Sequence, residues 1–265
     1  MKEMNQTLLW LSAQVVRIRT LLAYQKSWRQ IPIKEGNEKL VLVPKESSYP
    51  FYAREMKMTD DEDIYLRESV LSIFLYAKNR IRDIGYDLKV YDGWRSLELQ
   101  ENLFWHYMKQ FIAPRFSQLE KRFSQAVKPM EIKSVFLELS PTYQETLREA
   151  TRTYVSWPSA DPKSPSPHTT GGAVDVWLYK DDRPVSLGIP FDWMEESAGA
   201  FYHLKFRREK FPGDKSVCFH RNLLIYIMTR AGFSCYGPEI WHFNYGNQMH
   251  SLVTGKTSCY SFVEP

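Results

Sequence analysis

Apolar residues near the N-terminus recur in alternating steps of three and four positions, the spacing of one face of a helix. They are Leu8, Leu11, Val15, Ile18 and Leu22. The pattern predicts an N-terminal helix within residues 1–30 that docks on the rest of the protein. A removed export signal is the alternative interpretation, but Gln14 and Arg17 interrupt the apolar stretch and no clear cleavage site follows it.

The rest of the chain mixes helical and extended patterns without the regular alternation of βαβ units. Helices are predicted at 61–82, from about 97 onward, within the charged stretch 113–157, and at 216–230. Strands are predicted at 40–43, 86–91, 173–179, 233–236 and 240–245. This mixture predicts an α+β fold with a small antiparallel sheet flanked by helices. The length of 265 residues is compatible with a single domain over 1–265.

Composition argues against several classes of protein. Lys and Arg number 35 against 31 Asp and Glu, and the net charge of +4 is too small over this length to indicate nucleic-acid binding. No run of about 18 apolar residues is present, so no membrane span is expected. Three cysteines do not suggest a disulfide framework. Sparse cysteines and the weak export pattern together favour the cytoplasm, with the periplasm as the alternative.

Two segments place histidines close to carboxylates. The first reads SPHTTGGAVD over residues 166–175, and its two glycines permit backbone angles closed to other residues, so an imidazole and a carboxylate can be aimed at one point. The second reads PEIWH over residues 238–242. Because three positions separate Glu239 from His242, a regular strand would put them on opposite faces. We therefore expect Glu239 to lie in the loop introduced by Pro238.

Two imidazoles and an aspartate form a three-ligand set with one open position, as in catalytic rather than structural zinc sites. The candidate ligands are His168, Asp175 and His242. A zinc ion held in this way can lower the pKa of a bound water from 15.7 to about 7. Glu239 is then available to move a proton from that water to a leaving amine. Arg95, just beyond the Asp92-Gly93 turn, can stabilise a developing oxyanion, so the set is sufficient for amide hydrolysis.

Each of these residues also has an ordinary structural explanation. A single histidine on a strand is commonly a hydrogen-bonded core residue, and a carboxylate beside glycines commonly forms a turn. Arg95 taken alone fits a surface ion pair. The metal hypothesis therefore depends on the two histidine segments coming together in the fold.

Taken together, the two segments resemble the zinc D-alanyl-D-alanine peptidases, through Ser-x-His-x-x-Gly-x-Ala-x-Asp and the later Glu-x-Trp-His. Within that group the chain is most similar to the D-alanyl-D-alanine dipeptidases, including the vancomycin-resistance type. Three further segments carry the similarity, at residues 91–95, 187–194 and 222–242. The resemblance implies the hedgehog/D,D-peptidase fold.

The same resemblance implies a role for each candidate residue. The zinc ligands, for one ion per chain, would be His168, Asp175 and His242. Glu239 would be the general base and acid, and Arg95 the oxyanion partner. Ser166 and Asp192 would hold the free ammonium of a small dipeptide. A carboxylate in a closed pocket suits that role, because it favours a charged N-terminus over the neutral amide of a longer peptide.

The implied activity is zinc-dependent hydrolysis of D-Ala-D-Ala or a similar D-configured dipeptide. The alternatives are a D,D- or L,D-carboxypeptidase acting on peptidoglycan stem peptides, and a zinc-holding binding module without turnover. The chain also departs from the family pattern. Residues 113–157 are interpreted as a helical insertion between Arg95 and His168, and residues 1–30 as an additional helix. The insertion would either cap the pocket or build a different cleft.

Overall fold

The computed structural model of the protein describes residues 5–112, 117–204 and 215–264. Its helices are α1 (Gln6–Ala23), α2 (Phe51–Arg54), α3 (Glu68–Arg82), α4 (Leu97–Ile112), α5 (Ser117–Ser124), α6 (Pro129–Leu137), α7 (Pro141–Arg152), α8 (Lys215–Ala231) and α9 (Gln248–Thr254). Its strands are β1 (Leu40–Leu42), β2 (Tyr65–Arg67), β3 (Asp87–Asp92), β4 (Ala173–Lys180), β5 (Arg183–Pro184), β6 (Ser234–Tyr236) and β7 (Glu239–Asn244). These elements confirm the predicted α+β class.

The larger sheet brings distant polar residues together. Its strands lie in the order β3-β4-β7-β6, every neighbouring pair is antiparallel, and β5 pairs with the C-terminal end of β4. β1 and β2 form a separate antiparallel pair. In the register of the sheet, Asp175 on β4 lies opposite Asp92 on β3 and opposite His242 on β7. Residues opposite each other on neighbouring strands have Cβ atoms about 4.5–5.5 Å apart.

The main apolar core packs α3 and α8 against this sheet. On α3 the buried apolar residues step by four, three and four positions, so they form one helical face. They are Val70, Phe74, Ala77 and Ile81. The helix predicted at 216–230 is confirmed as α8, whose side chains in the same core include Leu223, Leu224, Ile227 and Met228.

A second apolar core lies between α4 and the three helices that follow it. The Trp105 ring centroid is 5.1 Å from that of Phe136, and the Phe104 centroid is 5.0 Å from that of Trp157. These helices confirm the helical character predicted for residues 113–157 as far as Arg152, and residues 153–157 are not helical. Residues 113–116 lie outside the described part of the chain. The assignment of 1–265 to a single domain stays a prediction.

The predicted N-terminal helix is confirmed as α1, but the expectation that its regular apolar stripe is the docking face is wrong. Each residue of that stripe is at least 47 % exposed. The face buried against α8, α9 and β6 instead includes Leu9, Ala13 and Thr20. At 100° per residue the two faces lie about 160° apart, and the small Ala13 permits close packing. Across the described residues, no helix combines the length and apolar character needed to cross a bilayer.

The helix predicted from residue 61 begins later, at Glu68. Two turn contacts occupy the preceding backbone, because Asp61 N donates to Thr59 Oγ1 and Asp63 N donates to Asp61 Oδ1. Such local bonds compete with helix formation. The next residues form β2, and Arg67 N donates to the Gly171 carbonyl. Tertiary pairing therefore outweighs the helical preference of this segment.

Candidate active site

The turn that carries His168 is shaped by the two glycines that follow it. A short 3-10 turn spans His168–Thr170 and ends at Gly171, which has a left-handed backbone with φ of 69°. A Cβ on Gly171 would lie 2.5 Å from Leu40 Cδ2, and one on Gly172 would lie 2.6 Å from the Tyr245 carbonyl oxygen. Only glycine fits both positions. The predicted use of backbone freedom is confirmed at Gly171, whereas Gly172 is needed because other atoms approach its backbone closely.

This turn brings His168 next to the Asp175–His242 pair of the sheet. His168 Nε2 is 3.2 Å from His242 Nδ1 and 3.5 Å from Asp175 Oδ1, and His242 Nδ1 is 3.0 Å from Asp175 Oδ1. All three side chains are buried. The two histidine segments thus converge, as the metal hypothesis requires.

Hydrogen bonds on the far side of each ring orient both imidazoles towards the common point. His168 Nδ1 is 2.7 Å from the Gly93 carbonyl oxygen, which can only accept, so this nitrogen carries the proton and Nε2 presents a lone pair. His242 Nε2 is 3.2 Å from Asn244 Oδ1, which also accepts from Asn247 Nδ2 at 2.7 Å. Nδ1 of His242 therefore presents its own lone pair.

The donor set fits a tetrahedral cation. Metal–ligand bonds of 2.0–2.2 Å in a tetrahedral zinc site place neighbouring donors about 3.3–3.6 Å apart, and the three observed spacings are 3.0, 3.2 and 3.5 Å. Asp175 Oδ1 is buried and has no hydrogen-bond partner among the described residues. A carboxylate oxygen facing two nitrogen lone pairs is unfavourable without a cation between them. Burial also lowers the pKa of His242, which favours the neutral imidazole that binds metals.

An irregularity in the sheet directs Glu239 to the same point. Glu239 is the first residue of β7, so the expectation that it lies in the preceding loop is wrong. The pairing of β6 with β7 shifts between Cys235 and Tyr236, opposite the stretch that separates Glu239 from His242. Such a bulge breaks the two-residue alternation. Glu239 Oε2 consequently lies 3.7 Å from His242 Nδ1.

The Glu239 carboxyl has an environment suited to holding a proton. It is 5 % exposed, and burial raises its pKa well above the usual value. The negative charges of Asp175 and Asp192 raise this pKa further. A carboxyl whose pKa is raised in this way can serve both as a proton acceptor and as a proton donor.

Arg95 is buried and bound to several partners rather than lying at the surface. Its Nε donates to Asp92 Oδ2 at 2.5 Å, and its Nη2 lies 3.4 Å from Asp175 Oδ2. The same Nη2 donates to Tyr52 OH, and Nη1 donates to Gln100 Oε1, at 3.3 Å each. Burial lowers the pKa of Arg95, but the anionic groups around it together outweigh this effect, with Asp92 contributing most and Asp175 and Asp192 less, so the net pKa is raised and a fixed cation lies beside the donor set.

Asp192 lines the same cavity as the residues described above, but it belongs to neither β4 nor β7. It is left-handed, with φ of 63°, and the Tyr107 hydroxyl donates to its Oδ2. Burial raises the pKa of Asp192 to about 7, although the bond from Tyr107 and the charge of Arg95 oppose the shift. A carboxylate kept from water in this way gains most from a cationic partner.

A single cavity of about 260 Å³ joins these groups. Six of the seven predicted site residues line it, namely Arg95, His168, Asp175, Asp192, Glu239 and His242. Ser166 is not among the lining residues in the described part of the chain, and its Oγ donates to the Trp157 carbonyl at 2.6 Å. The ammonium-binding role of Ser166 therefore stays a prediction without geometric support.

Sequence reasoning did not identify several residues that complete the site. Asn244 orients a candidate ligand, and Tyr52 and Tyr107 support Arg95 and Asp192. Asn244 had a usable signal, since it follows His242 by two positions and so shares its strand face. Tyr52 lies on α2 and Tyr107 on α4, and each is far in sequence from the side chain that it contacts. No pattern in the sequence predicts these two contacts.

Comparison with known proteins agrees with this geometry. Residues 90–261 match the family model Peptidase_M15, described as D-ala-D-ala dipeptidase. The chain is also 24 % identical over 240 residues to a D-alanyl-D-alanine dipeptidase of Synechocystis sp., an alignment that covers 84 % of this chain and 88 % of that protein. The family match contains all seven predicted site residues. Because it spans more than half of the chain, the protein belongs to the D-Ala-D-Ala dipeptidase family of metallopeptidases.

Proposed function

We propose that this metallopeptidase hydrolyses D-Ala-D-Ala, or a similar D-configured dipeptide, with one zinc ion per chain held by His168, Asp175 and His242. The observation that carries the proposal is the triangle of three oriented donors with 3.0–3.5 Å spacings, beside a buried spare carboxyl. Zinc, when bound, supplies a Lewis acid that polarises the scissile carbonyl and acidifies water.

Glu239 is proposed to move the proton in this reaction. Its Oε2 is close to the donor triangle, yet it belongs to no ligand set of the described residues. It takes a proton from the attacking water and delivers it to the nitrogen of the leaving amino acid. The burial that raises its pKa keeps the proton on Glu239 between these two transfers.

Arg95 is proposed to stabilise the negative charge that develops on the carbonyl oxygen. Its bonds to Asp92 and Asp175 fix the guanidinium before substrate arrives, so no reorganisation is needed during the reaction. Lysine would lack the planar fork that spans two carboxylates and would not reproduce this arrangement.

Asp192 is proposed to bind the free ammonium of the substrate. Without a cation, its carboxylate is held in a buried site that raises its pKa, and an ammonium group relieves that cost. A longer or N-blocked peptide offers a neutral amide at the same place. The cavity is also below the roughly 300–1,000 Å³ of drug-sized ligand pockets, which suits a dipeptide.

We also propose that residues 1–265 act as one metallopeptidase domain. Trp28 from the N-terminal segment and Tyr154 and Val155 from the predicted insertion line the same cavity as the sheet residues. This shared lining favours the interpretation that the insertion caps the pocket over the one in which it builds a separate cleft.

The test compares Glu239→Gln with wild type, and with Glu98→Gln as an exposed control on α4. We expect full zinc content in all three proteins and a loss of kcat in Glu239→Gln of about 10²–10⁴-fold. Metal analysis and D-Ala-D-Ala hydrolysis provide the two readouts. Unchanged turnover in Glu239→Gln would reject the assigned role.

Substrate length and configuration test the remaining part of the proposal. We expect hydrolysis of D-Ala-D-Ala, but much slower hydrolysis of L-Ala-L-Ala and of a stem pentapeptide with a blocked N-terminus. Comparable cleavage of the blocked pentapeptide would instead establish a carboxypeptidase. Zinc binding without hydrolysis of any of these peptides would establish a binding module.

A further inference from the structure

Two arginines that have not yet been assigned a role line the same cavity as Asp192. Arg29, in a 3-10 turn at Trp28–Gln30, and Arg152, the last residue of α7, both line it. Arg29 lies outside the residues that match the family model, and Arg152 lies in the predicted insertion. Neither side chain has a role in the mechanism proposed above.

The order of the strands separates the two charged ends. Asp192 interacts electrostatically with Arg95, which follows β3, whereas Arg29 interacts electrostatically with Tyr236 at the end of β6. β3 and β6 are the outer strands of the path, and the candidate ligands Asp175 and His242 lie on the two strands between them. The strand order therefore favours a position of Asp192 and Arg95 towards the β3 side of the metal site, and of Arg29 and Arg152 towards the β6 side.

Tyr236 connects the positive end to the metal site. Its ring centroid is 5.5 Å from that of His242, and its hydroxyl donates to the Thr153 carbonyl at 2.7 Å. Thr153 directly follows Arg152, so the end of α7 is held against the strand next to a candidate ligand. Arg29 and Arg152 thus face the part of the cavity beyond His242.

Arg29 has no carboxylate within 4 Å among the described residues. Its guanidinium lies 4.2 Å from the Trp28 ring and its Nη1 donates to Ser164 Oγ at 3.2 Å, both of which are neutral partners. Arg152 pairs with Glu149 at the cavity and is 4.0 Å from Glu145. The charge of Arg152 is therefore balanced by Glu149, which also lines the cavity and acts on Arg29, and Arg29 is the guanidinium of the two that forms no ion pair of its own among the described residues.

Hydrogen bonds hold the backbone next to Arg29 in place before any ligand binds. Gln248 of α9 donates from Nε2 to the Ile31 carbonyl at 2.6 Å and to the Lys163 carbonyl at 2.9 Å. These bonds tie the 3-10 turn to the proline-rich loop that precedes His168. Because the backbone is already ordered, binding of an anion by Arg29 costs mainly the entropy of its side chain.

We propose that Arg29, assisted by Arg152, forms a subsite for the free C-terminal carboxylate of the substrate. Together with Asp192, this subsite makes the cavity complementary to a zwitterion, an ammonium at one end and a carboxylate at the other. An extended dipeptide spans at most about 7 Å, so a chain longer by several residues cannot satisfy both ends. The inference rests on the proposed function, because it assigns the second end of the same substrate.

The test combines a change in the enzyme with a change in the substrate. D-Ala-D-Ala and D-Ala-D-alaninamide differ only in the terminal carboxylate, and Arg29→Gln is compared with wild type. We expect Arg29→Gln to lower kcat/KM for the free acid by about 10- to 100-fold through KM, and to leave kcat/KM for the amide within about threefold. Arg152→Gln should give a smaller effect of the same kind.

A matched control and a binding measurement separate this inference from the proposed function. Arg17→Gln, on α1 and bonded to Gln14, should leave both substrates unaffected. Calorimetry with Glu239→Gln should show weaker binding of the amide than of the acid, and the double variant with Arg29→Gln should lose that difference.

The possible outcomes distinguish the carboxylate subsite from the dipeptidase function. Equal losses on acid and amide in Arg29→Gln, or no loss on either, would overturn the carboxylate subsite while the dipeptidase function stands. Binding that depends on Arg29 and on the carboxylate, without hydrolysis by wild type, would support the subsite and reject the proposed function. Absence of both binding and hydrolysis would reject both.

Discussion

The two walls of the cavity are built in different ways. On the sheet wall, Asp175 and His242 are paired by strand register and are 1 % and 5 % exposed. On the helical wall, the Arg152 side chain is 39 % exposed and pairs with glutamates, and Arg29 has one neutral side-chain acceptor. The first wall is fixed by many mutual contacts, whereas the second depends on a few.

This difference indicates a division of tasks. Groups that must meet within a few tenths of an ångström lie where sheet hydrogen bonds and a packed core fix them. Groups that recognise the ends of a substrate lie on turns and helix ends, which tolerate change. Changes in the sheet wall should therefore abolish the reaction, and changes in the helical wall should alter substrate affinity.

The largest effect is expected for His242→Ala. It removes one of three candidate ligands, so zinc should be lost. We expect kcat/KM to fall by about 10³-fold or more, because the bound metal stabilises the charge of the transition state by several kcal/mol. Metal analysis of the purified variant, together with hydrolysis of D-Ala-D-Ala, provides the measurement.

The control for this variant is His106→Gln. His106 lies on α4 beside Gln110, on the helical side of the molecule. We expect this variant to keep its zinc and its activity. Full zinc content in His242→Ala would remove the proposed ligand role and with it the contrast between the two walls.

A smaller effect is expected from the titration of Asp192. Burial raises the pKa of Asp192 to about 7, so its carboxyl is neutral below that pH and cannot pair with an ammonium. We therefore expect kcat/KM for D-Ala-D-Ala to fall as pH drops below about 7, by about tenfold per unit, mainly through KM. A pH profile at fixed zinc concentration provides the measurement.

Two variants show whether the acid limb of this pH profile, the fall in kcat/KM below about pH 7, is due to Asp192. Asp192→Asn should have low activity and should lose the limb. Tyr107→Phe should move the midpoint to higher pH, since the hydrogen bond from Tyr107 lowers the pKa of Asp192. An acid limb that persists unchanged in Asp192→Asn would assign it to another group, such as Glu239.

The same division explains what could be predicted from the sequence. The candidate ligands lie in two short segments whose glycines, histidines and carboxylates have few other reasons to occur together, and the register of β4 and β7 then aligns them. The α+β class followed from the local helix and strand patterns. The bulge that turns Glu239 towards His242 could not be predicted, because it depends on how β6 pairs with β7.

The helical wall could not be assembled from the sequence. Arg29, Tyr52 and Arg152 belong to three segments whose proximity depends on tertiary packing, and no motif marks any of them. The exposed stripe of α1 illustrates the same limit. Its spacing is more regular than that of the buried face, yet the contact with α8 selects the face with Leu9 and Ala13.

The smallest effect is expected where the two walls touch. Tyr236→Phe removes the hydrogen bond from the β6 end to the Thr153 carbonyl but keeps the ring that packs on His242. We expect the free energy of unfolding to fall by about 0.5–1.5 kcal/mol, and KM for D-Ala-D-Ala to rise about two- to fivefold as Arg152 loses its support, with kcat and zinc content unchanged. Denaturant unfolding and steady-state kinetics provide the measurements. If kcat fell as strongly as KM rose, the hydrogen bond from Tyr236 would be acting on the metal site itself. The separation between a catalytic sheet wall and an adjustable helical wall would then not hold.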